Sequence, residues 1–185
     1  MIVYVESNFI LEMVLGQKYA SATDSILQLA ESGKIELAFP SFALCEPFAT
    51  ITRRARDQER LSKSIEGMLD QLPSILRDLA NKEASRLWST ISRLINVGTS
   101  IETSVASLQQ ALEDQTRLRL SPQDSSIYAA VFSNMQSRPF VEMKCFVNSN
   151  YKDFGNPVII SELNSCNCQY ERNFGKGLSF IRSFI

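Results

Sequence analysis

Histidine is missing from this chain, and cysteine is scarce. Among its 185 residues there is no histidine and there are four cysteines. The lack of histidine excludes Ser-His-Asp and Cys-His catalysis, zinc sites with imidazole ligands and a histidine pH switch. Any catalysis must therefore depend on carboxylates.

The four cysteines lie in different settings, and only Cys166 and Cys168 are close neighbours. A Cys-x-Cys pair without a second pair or a histidine is weak evidence for a metal site. We therefore expect buried or incidental thiols.

The chain also lacks a strong charge of either sign and a long apolar run. With 19 basic and 20 acidic residues the formal net charge is -1, so no overall positive field attracts nucleic acid or a membrane surface. No window reaches the roughly 18 uncharged apolar residues of a membrane span, and the amino terminus does not resemble a signal peptide. The expectation is a cytoplasmic protein without membrane contact, folded as a single domain over 1–185.

Short β-branched strands alternate with amphipathic helices in the first and last parts of the chain. The sequence predicts strands at 2–5, 35–39 and 145–147. It predicts helices after the first two strands and from Ser121. Such alternation is typical of an α/β fold of three layers, with a central, mainly parallel sheet covered by helices on both faces.

The middle of the chain, 57–119, has a different composition, with one proline and two glycines. Leucine-rich stripes at helical spacing predict two packed helices and no strand there. The first stripe comprises Leu61, Ile65, Met68, Leu72 and Leu79, and the second comprises Leu87, Ile91, Leu94, Ile101, Val105, Leu108 and Leu112. We interpret 57–119 as a helical insertion within the domain, broken or kinked at 98–100.

Four acids occupy positions that a parallel sheet brings to one edge. Glu6 and Asp153 follow predicted strands, and Glu46 and Asp124 lie in the first turns of helices. Ligand sites of such sheets collect at the carboxyl ends of the strands. Clustered carboxylates need a compensating cation, and Mg²⁺ and Mn²⁺ prefer oxygen ligands. Taken singly, each acid also has a structural interpretation: a capping box for Asp124, a helix dipole for Glu46, and turns for Glu6 and Asp153.

The sequences that flank the four acids favour a metal site over separate structural roles. The segments are 4–11 (YVESNFIL), 40–47 (PSFALCEP), 120–129 (LSPQDSSIYA) and 146–154 (FVNSNYKDF). In this order, each on the expected element, they resemble the four acidic motifs of PIN-domain nucleases. Two residues depart from the family's usual pattern: Glu6 replaces a more frequent aspartate, and Asn150 stands where many members have a further acid.

The resemblance implies a PIN-like fold and metal-dependent hydrolysis of single-stranded RNA. Glu6, Glu46, Asp124 and Asp153 would then be catalytic residues that hold Mg²⁺ or Mn²⁺. Ser7, Asn8 and Asn150 would orient these ligands or bind a phosphate. Ordinary helix capping explains Ser7 and Asn8 equally well.

A local basic set is needed to bind the RNA backbone. Arg53, Arg56 and Arg60 share a helical face, and Lys152 precedes Asp153. We regard these four as candidate phosphate contacts. The alternative is a solvated face paired with neighbouring acids.

Two other functions stay open. One is a PIN-like module that binds RNA or protein without cleavage, for which the Glu6 and Asn150 departures would be signs of decay. The other is the toxin of a toxin–antitoxin pair, whose small antitoxin-like protein partner would fill the cleft. The sequence also leaves open whether the second leucine stripe is buried within one chain or in a homodimer.

Overall fold

The computed structural model describes residues 1–66 and 71–185. In chain order its elements are β1 Ile2–Tyr4, α1 Ser7–Leu15, α2 Ala20–Glu31, β2 Glu36–Pro40, a 3₁₀ helix Ser41–Leu44, α3 Cys45–Ile65, α4 Leu72–Val97, β3 Gly98–Ile101, α5 Val105–Leu118, α6 Pro122–Ser137, β4 Lys144–Val147, α7 Tyr151–Phe154, α8 Pro157–Ser165, β5 Cys168–Glu171 and α9 Phe174–Arg182.

The strands form a five-stranded sheet in the order β3-β2-β1-β4-β5, and all neighbouring pairs are parallel. Strand β1 lies at the centre, where Tyr4 pairs with Ala38 of β2 and with Phe146 of β4. The carboxyl ends of all five strands therefore lie along one edge of the sheet.

Helices cover both faces of the sheet, which confirms the predicted α/β fold of three layers. Alternate strand residues enter two separate cores, as the period of two requires. Val3, Leu37 and Cys145 pack on the side of α1, α2 and α4, whereas Tyr4, Ala38 and Phe146 pack on the side of α6 and α8. Each face thus has its own apolar core.

The interpretation of 57–119 as wholly helical is wrong, because residues 98–101 form the edge strand β3 beside β2. The second leucine stripe is divided by this strand. Leu87, Ile91 and Leu94 on α4 are buried in the core, whereas Val105, Leu108 and Leu112 on α5 are exposed. Helical spacing alone did not reveal that the chain enters the sheet between these two groups.

The first stripe does not form a helix of its own, and the predicted packing of one stripe helix on the other is wrong. Leu61 lies on α3, whereas Leu72 and Leu79 lie on α4, the helix that also carries Leu87 of the second stripe. Leu61, Leu72 and Leu79 are each at least 38% exposed. Met68 lies outside the described residues. The single-domain organisation, with 57–119 as an insertion, stays a prediction.

The end of the chain contains structure that the sequence did not predict. Strand β5 extends the sheet beyond β4, and helix α9 packs on the first core through Phe174 and Ile181. Within the two described ranges, no helix combines the length and apolarity that a membrane crossing requires.

Candidate active site

Glu6 lies at the junction of the central strand and the first helix. Its backbone is still extended (φ -137°), and its side chain caps α1 by accepting a hydrogen bond of 3.0 Å from the backbone N–H of Asn8. Glu6, rather than Ser7, is therefore the N-cap. Ser7 is buried, and its hydroxyl has no partner among the described residues.

Burial makes the Glu6 carboxylate unusual. The residue is 4% exposed, and loss of solvation raises its pKa from 4.5 to about 7. Hydrogen bonding from Asn8 opposes this rise, and the charges of Glu46 and Asp124 add to it. The Oε1 atom of Glu6 has no hydrogen-bond partner among the described residues, so it is a buried oxygen with unused acceptor capacity.

Asp124 is held at the start of α6 by Ser121, the N-cap residue of this helix. Ser121 Oγ accepts from the backbone N–H of Asp124 at 3.1 Å and lies 2.6 Å from Asp124 Oδ2. Burial raises the pKa of Asp124, and the charges of Asp153 and Glu46 raise it further, whereas hydrogen bonds from Ser121 and Asn150 lower it. The predicted N-cap at Ser121 is thus confirmed, and this cap also presents the carboxylate of Asp124 to the other acids.

Glu46 lies in the first turn of α3, half-buried, and contacts the same helix as Asp124. Gln123 Nε2 donates to Glu46 Oε2 at 2.7 Å, which joins α3 to α6. Gln123 was not among the residues predicted from the sequence. Its only signal was its position next to Asp124, because a contact across 77 positions leaves no local pattern.

Asp153 and Asn150 belong to the turn of helix that follows β4. The carbonyl of Asn150 accepts from the backbone N–H groups of Asp153 and Phe154, and the buried ring of Phe154 packs edge-on against Phe146. This packing fixes the short helix on the sheet. Asn150 thereby lies beside Asp124, whose pKa its side chain lowers.

The fold therefore brings Glu6, Glu46, Asp124 and Asp153 to one corner of the molecule, beyond the carboxyl ends of the strands. There the charges of these acids act on one another. They do not form a tight cluster: among residues 1–66 and 71–185, no group of three or more acidic or cysteine side chains is close enough together to hold a metal ion. The acids instead use part of their hydrogen-bonding capacity on Asn8, Gln123 and Ser121.

The chemistry of these groups nonetheless fits a divalent cation. Glu6 has an unpaired buried oxygen. Burial raises the pKa values of Glu6 and Asp124, with a smaller contribution from the neighbouring acids, and a bound cation would oppose both effects. The donor atoms are carboxylate oxygens, the type that Mg²⁺ and Mn²⁺ prefer.

The candidate phosphate-binding residues are at the surface. Arg53, Arg56 and Arg60 are exposed on α3, and Lys152 is exposed on α7. Of the three arginines, Arg60 approaches Asp57, at 4.0 Å. Arg54 faces the other way and makes a bidentate pair with the buried Glu83 of α4 (2.7 and 3.0 Å).

Comparisons with known proteins support the fold. No protein-family model matches the chain, and no curated protein matches it. Among solved structures, the chain resembles one described as VapBC2 from Rickettsia felis bound to a DNA fragment from their promoter. The TM-score is 0.54 at 15% identity, over 92% of this chain and 98% of that one. At this identity the match shows a similar fold and nothing more specific.

Proposed function

We propose that this protein is a metal-dependent ribonuclease of the PIN type, in which Glu6, Glu46, Asp124 and Asp153 hold Mg²⁺ or Mn²⁺. The observation that carries the proposal is the grouping of these four acids at one corner of the molecule. Four acids, from the N-cap of α1 and from α3, α6 and α7, act on one another electrostatically there, and the most buried of them retains an unpaired oxygen. Burying a carboxylate in this way is costly unless a cation compensates it.

The bound metal would lower the pKa of a coordinated water and neutralise charge on the leaving oxygen. The protein's own groups fix the carboxylates for this purpose. Asn8 restrains Glu6, Gln123 restrains Glu46, and Ser121 restrains Asp124. Such outer hydrogen bonds orient metal ligands and tune their basicity.

RNA would approach along the surface that carries the exposed cations. Arg53, Arg56 and Arg60 extend along α3 away from Glu46, and Lys152 is adjacent to Asp153. Guanidinium and ammonium groups bind phosphate oxygens and position the strand without reading its sequence. The near-neutral net charge of the chain makes this local set the candidate contact surface.

A second candidate places the same chemistry in the toxin of a toxin–antitoxin pair. It is favoured by the fold similarity to the VapBC2 structure, which spans nearly all of both chains. An antitoxin-like protein would then bind near the corner of acids and block access to it. Copurification of a small protein encoded beside this chain, together with loss of cleavage in the complex, tests this candidate.

The test of the ribonuclease proposal is cleavage of labelled single-stranded RNA with Mn²⁺, Mg²⁺ or EDTA. We expect cleavage with Mn²⁺ or Mg²⁺, none with EDTA, and a loss of at least about 100-fold in Asp124→Asn and Asp153→Asn. Asp78→Asn is the matched control, because Asp78 is exposed on α4.

Cleavage that persists in EDTA or in both site variants would identify a contaminating nuclease and contradict the proposal. A folded protein that binds no Mn²⁺ in calorimetry and cuts none of several RNAs would favour the non-cleaving binding module. That outcome agrees with the separation of the acids in the described structure.

A further inference from the structure

Three buried polar atoms without hydrogen-bond partners among the described residues belong to three neighbouring strands or their ends. They are Oε1 of Glu6, Nδ2 of Asn148 and the hydroxyl oxygen of Tyr170. Glu6 follows β1, Asn148 follows β4, and Tyr170 is in β5, and these strands are adjacent in the sheet. Leaving such groups unpaired is energetically costly, so their concentration at one edge needs an explanation.

The strand register places these three side chains on the same face. Phe146 of β4 pairs with Tyr4 on one side and with Tyr170 on the other. Glu6 and Asn148 each come two positions after a member of this row, and alternate side chains of a strand point to the same face. This is the face that α6 covers, with Asp124 at its first turn.

Each side chain is held in place by its other contacts. Glu6 Oε2 accepts from Asn8, and Oδ1 of the fully buried Asn148 accepts from the backbone N–H of Asn150. The ring of Tyr170 packs against Phe146 with centroids 6.0 Å apart. The unpaired atoms therefore have defined positions, and the side chains are not free to rotate towards solvent.

The chemistry of the three atoms is complementary. Asn148 Nδ2 is a donor and Glu6 Oε1 is an acceptor. The phenol of Tyr170 ordinarily titrates at about 10, so at neutral pH its hydroxyl carries a proton and serves as a second donor. An oxygen atom that accepts from the two donors and, as water, donates to Glu6 would satisfy all three. Buried waters typically make about three such hydrogen bonds.

We propose that Asn148 and Tyr170 are positioning residues, which bind one water or ligand oxygen together with Glu6 Oε1 and so fix the direction of the Glu6 carboxylate. The assignment rests on the proposed function only in treating Glu6 as a metal ligand. Neither residue belongs to the acidic set, and Tyr170 lies in a strand that the sequence did not predict.

The first experiment is a metal-free crystal structure at about 1.5 Å or better. We expect one ordered oxygen within about 2.6–3.2 Å of all three atoms. The proposal is overturned if no oxygen lies there, or if Asn148 Nδ2 and the Tyr170 hydroxyl pair with other groups. This measurement needs neither metal binding nor activity, so it decides the inference even if the ribonuclease proposal fails.

The second experiment compares Tyr170→Phe with Tyr4→Phe by Mn²⁺ calorimetry and thermal unfolding. Tyr170→Phe removes only the hydroxyl, and we expect a Mn²⁺ affinity lower by about 10-fold with an unchanged Tm, because outer hydrogen bonds tune metal ligands. Tyr4 is a matched control from the same row, since its hydroxyl donates to Asn134 at 2.8 Å, outside the acidic set. Its substitution should lower Tm and leave the affinity unchanged.

The opposite pattern, in which Tyr170→Phe lowers Tm without changing the affinity, would show a purely structural hydroxyl and overturn the positioning role. If the wild type binds no Mn²⁺ while the crystal structure contains the shared oxygen, the metal assignment fails and the three-atom site stands. The two failures are therefore distinguishable.

Discussion

Replacing Glu6 by Gln should stabilise the metal-free protein at neutral and alkaline pH. Glu6 is buried, and its pKa is raised from 4.5 to about 7. Below pH 4.5 the carboxyl group is protonated in both the folded and the unfolded chain, so its ionisation does not affect stability. As the pH rises from 4.5 to about 7, the unfolded chain releases this proton while the folded protein retains it, so stability falls over this interval and stays at the lower level above it.

The size of the effect follows from the two pKa values. The interval from 4.5 to about 7, at 1.36 kcal/mol per pKa unit, corresponds to about 3 kcal/mol of stability lost above pH 8. A neutral amide of nearly the same shape removes this cost and still accepts from the N–H of Asn8. For a protein of this size, about 3 kcal/mol shifts Tm by roughly 6–12 °C.

Urea unfolding with EDTA at pH 5 and pH 8 measures the effect. Glu6→Gln should exceed the wild type in stability at pH 8 by much more than at pH 5. Glu83→Gln is the control: Glu83 is also buried but is paired with Arg54, so its loss should destabilise the protein at both pH values.

Adding Mn²⁺ provides an independent check. A cation that binds the folded state alone raises its stability by mass action, and this gain should occur in the wild type and be reduced in Glu6→Gln. If Glu6→Gln is no more stable than the wild type at pH 8, or if its advantage is equal at both pH values, the raised pKa of Glu6 and the charge argument for the site are refuted.

Three other predictions concern the rest of the molecule. Lys144 is fully buried and donates to three backbone carbonyls, so Lys144→Met should lower the free energy of unfolding by roughly 3 kcal/mol or more, measured in urea. Asp114 is 1% exposed and accepts from Arg117 at 2.7 Å, and Asp114→Asn should cost about 1–2 kcal/mol in the same assay. Arg53→Ala with Arg56→Ala should weaken RNA binding and reduce the salt dependence of the affinity by about two phosphate contacts, and an unchanged salt slope would contradict the proposed contact surface.

Parts of the candidate site could be predicted because their signals are local. A β-branched run followed by an acid and a capping sequence identified Glu6, and Ser121-Pro122 identified the start of α6 and the position of Asp124. Helix α6 begins where these residues predict, whereas α1 begins one residue earlier, because its N-cap is Glu6 and not Ser7. The placement of acids after strands was enough to predict that they share an edge of a parallel sheet.

Other parts depend on distant residues and left no local signal. Strand β3, which lies between two helices, was not predicted. The sequence Gly98-Thr99-Ser100 by itself indicates only a break between helices, and it forms a strand by pairing with β2. Strand β5 includes Cys168 and Gln169, which have no strong strand pattern, and it forms by pairing with β4. Tyr170 was therefore absent from the predicted site.

The sequence by itself determined the chemistry: no imidazole, four acids at the ends of strands and starts of helices, and a local set of arginines. Only the tertiary structure decided how far the pKa values of these acids are shifted. Glu6 and Glu46 are 40 positions apart, and whether their charges interact depends on the parallel register of β1 and β2 and on the helices that exclude water from the corner. Electrostatic energy depends on distance and solvation, and both are set by the packing of residues that are remote in sequence.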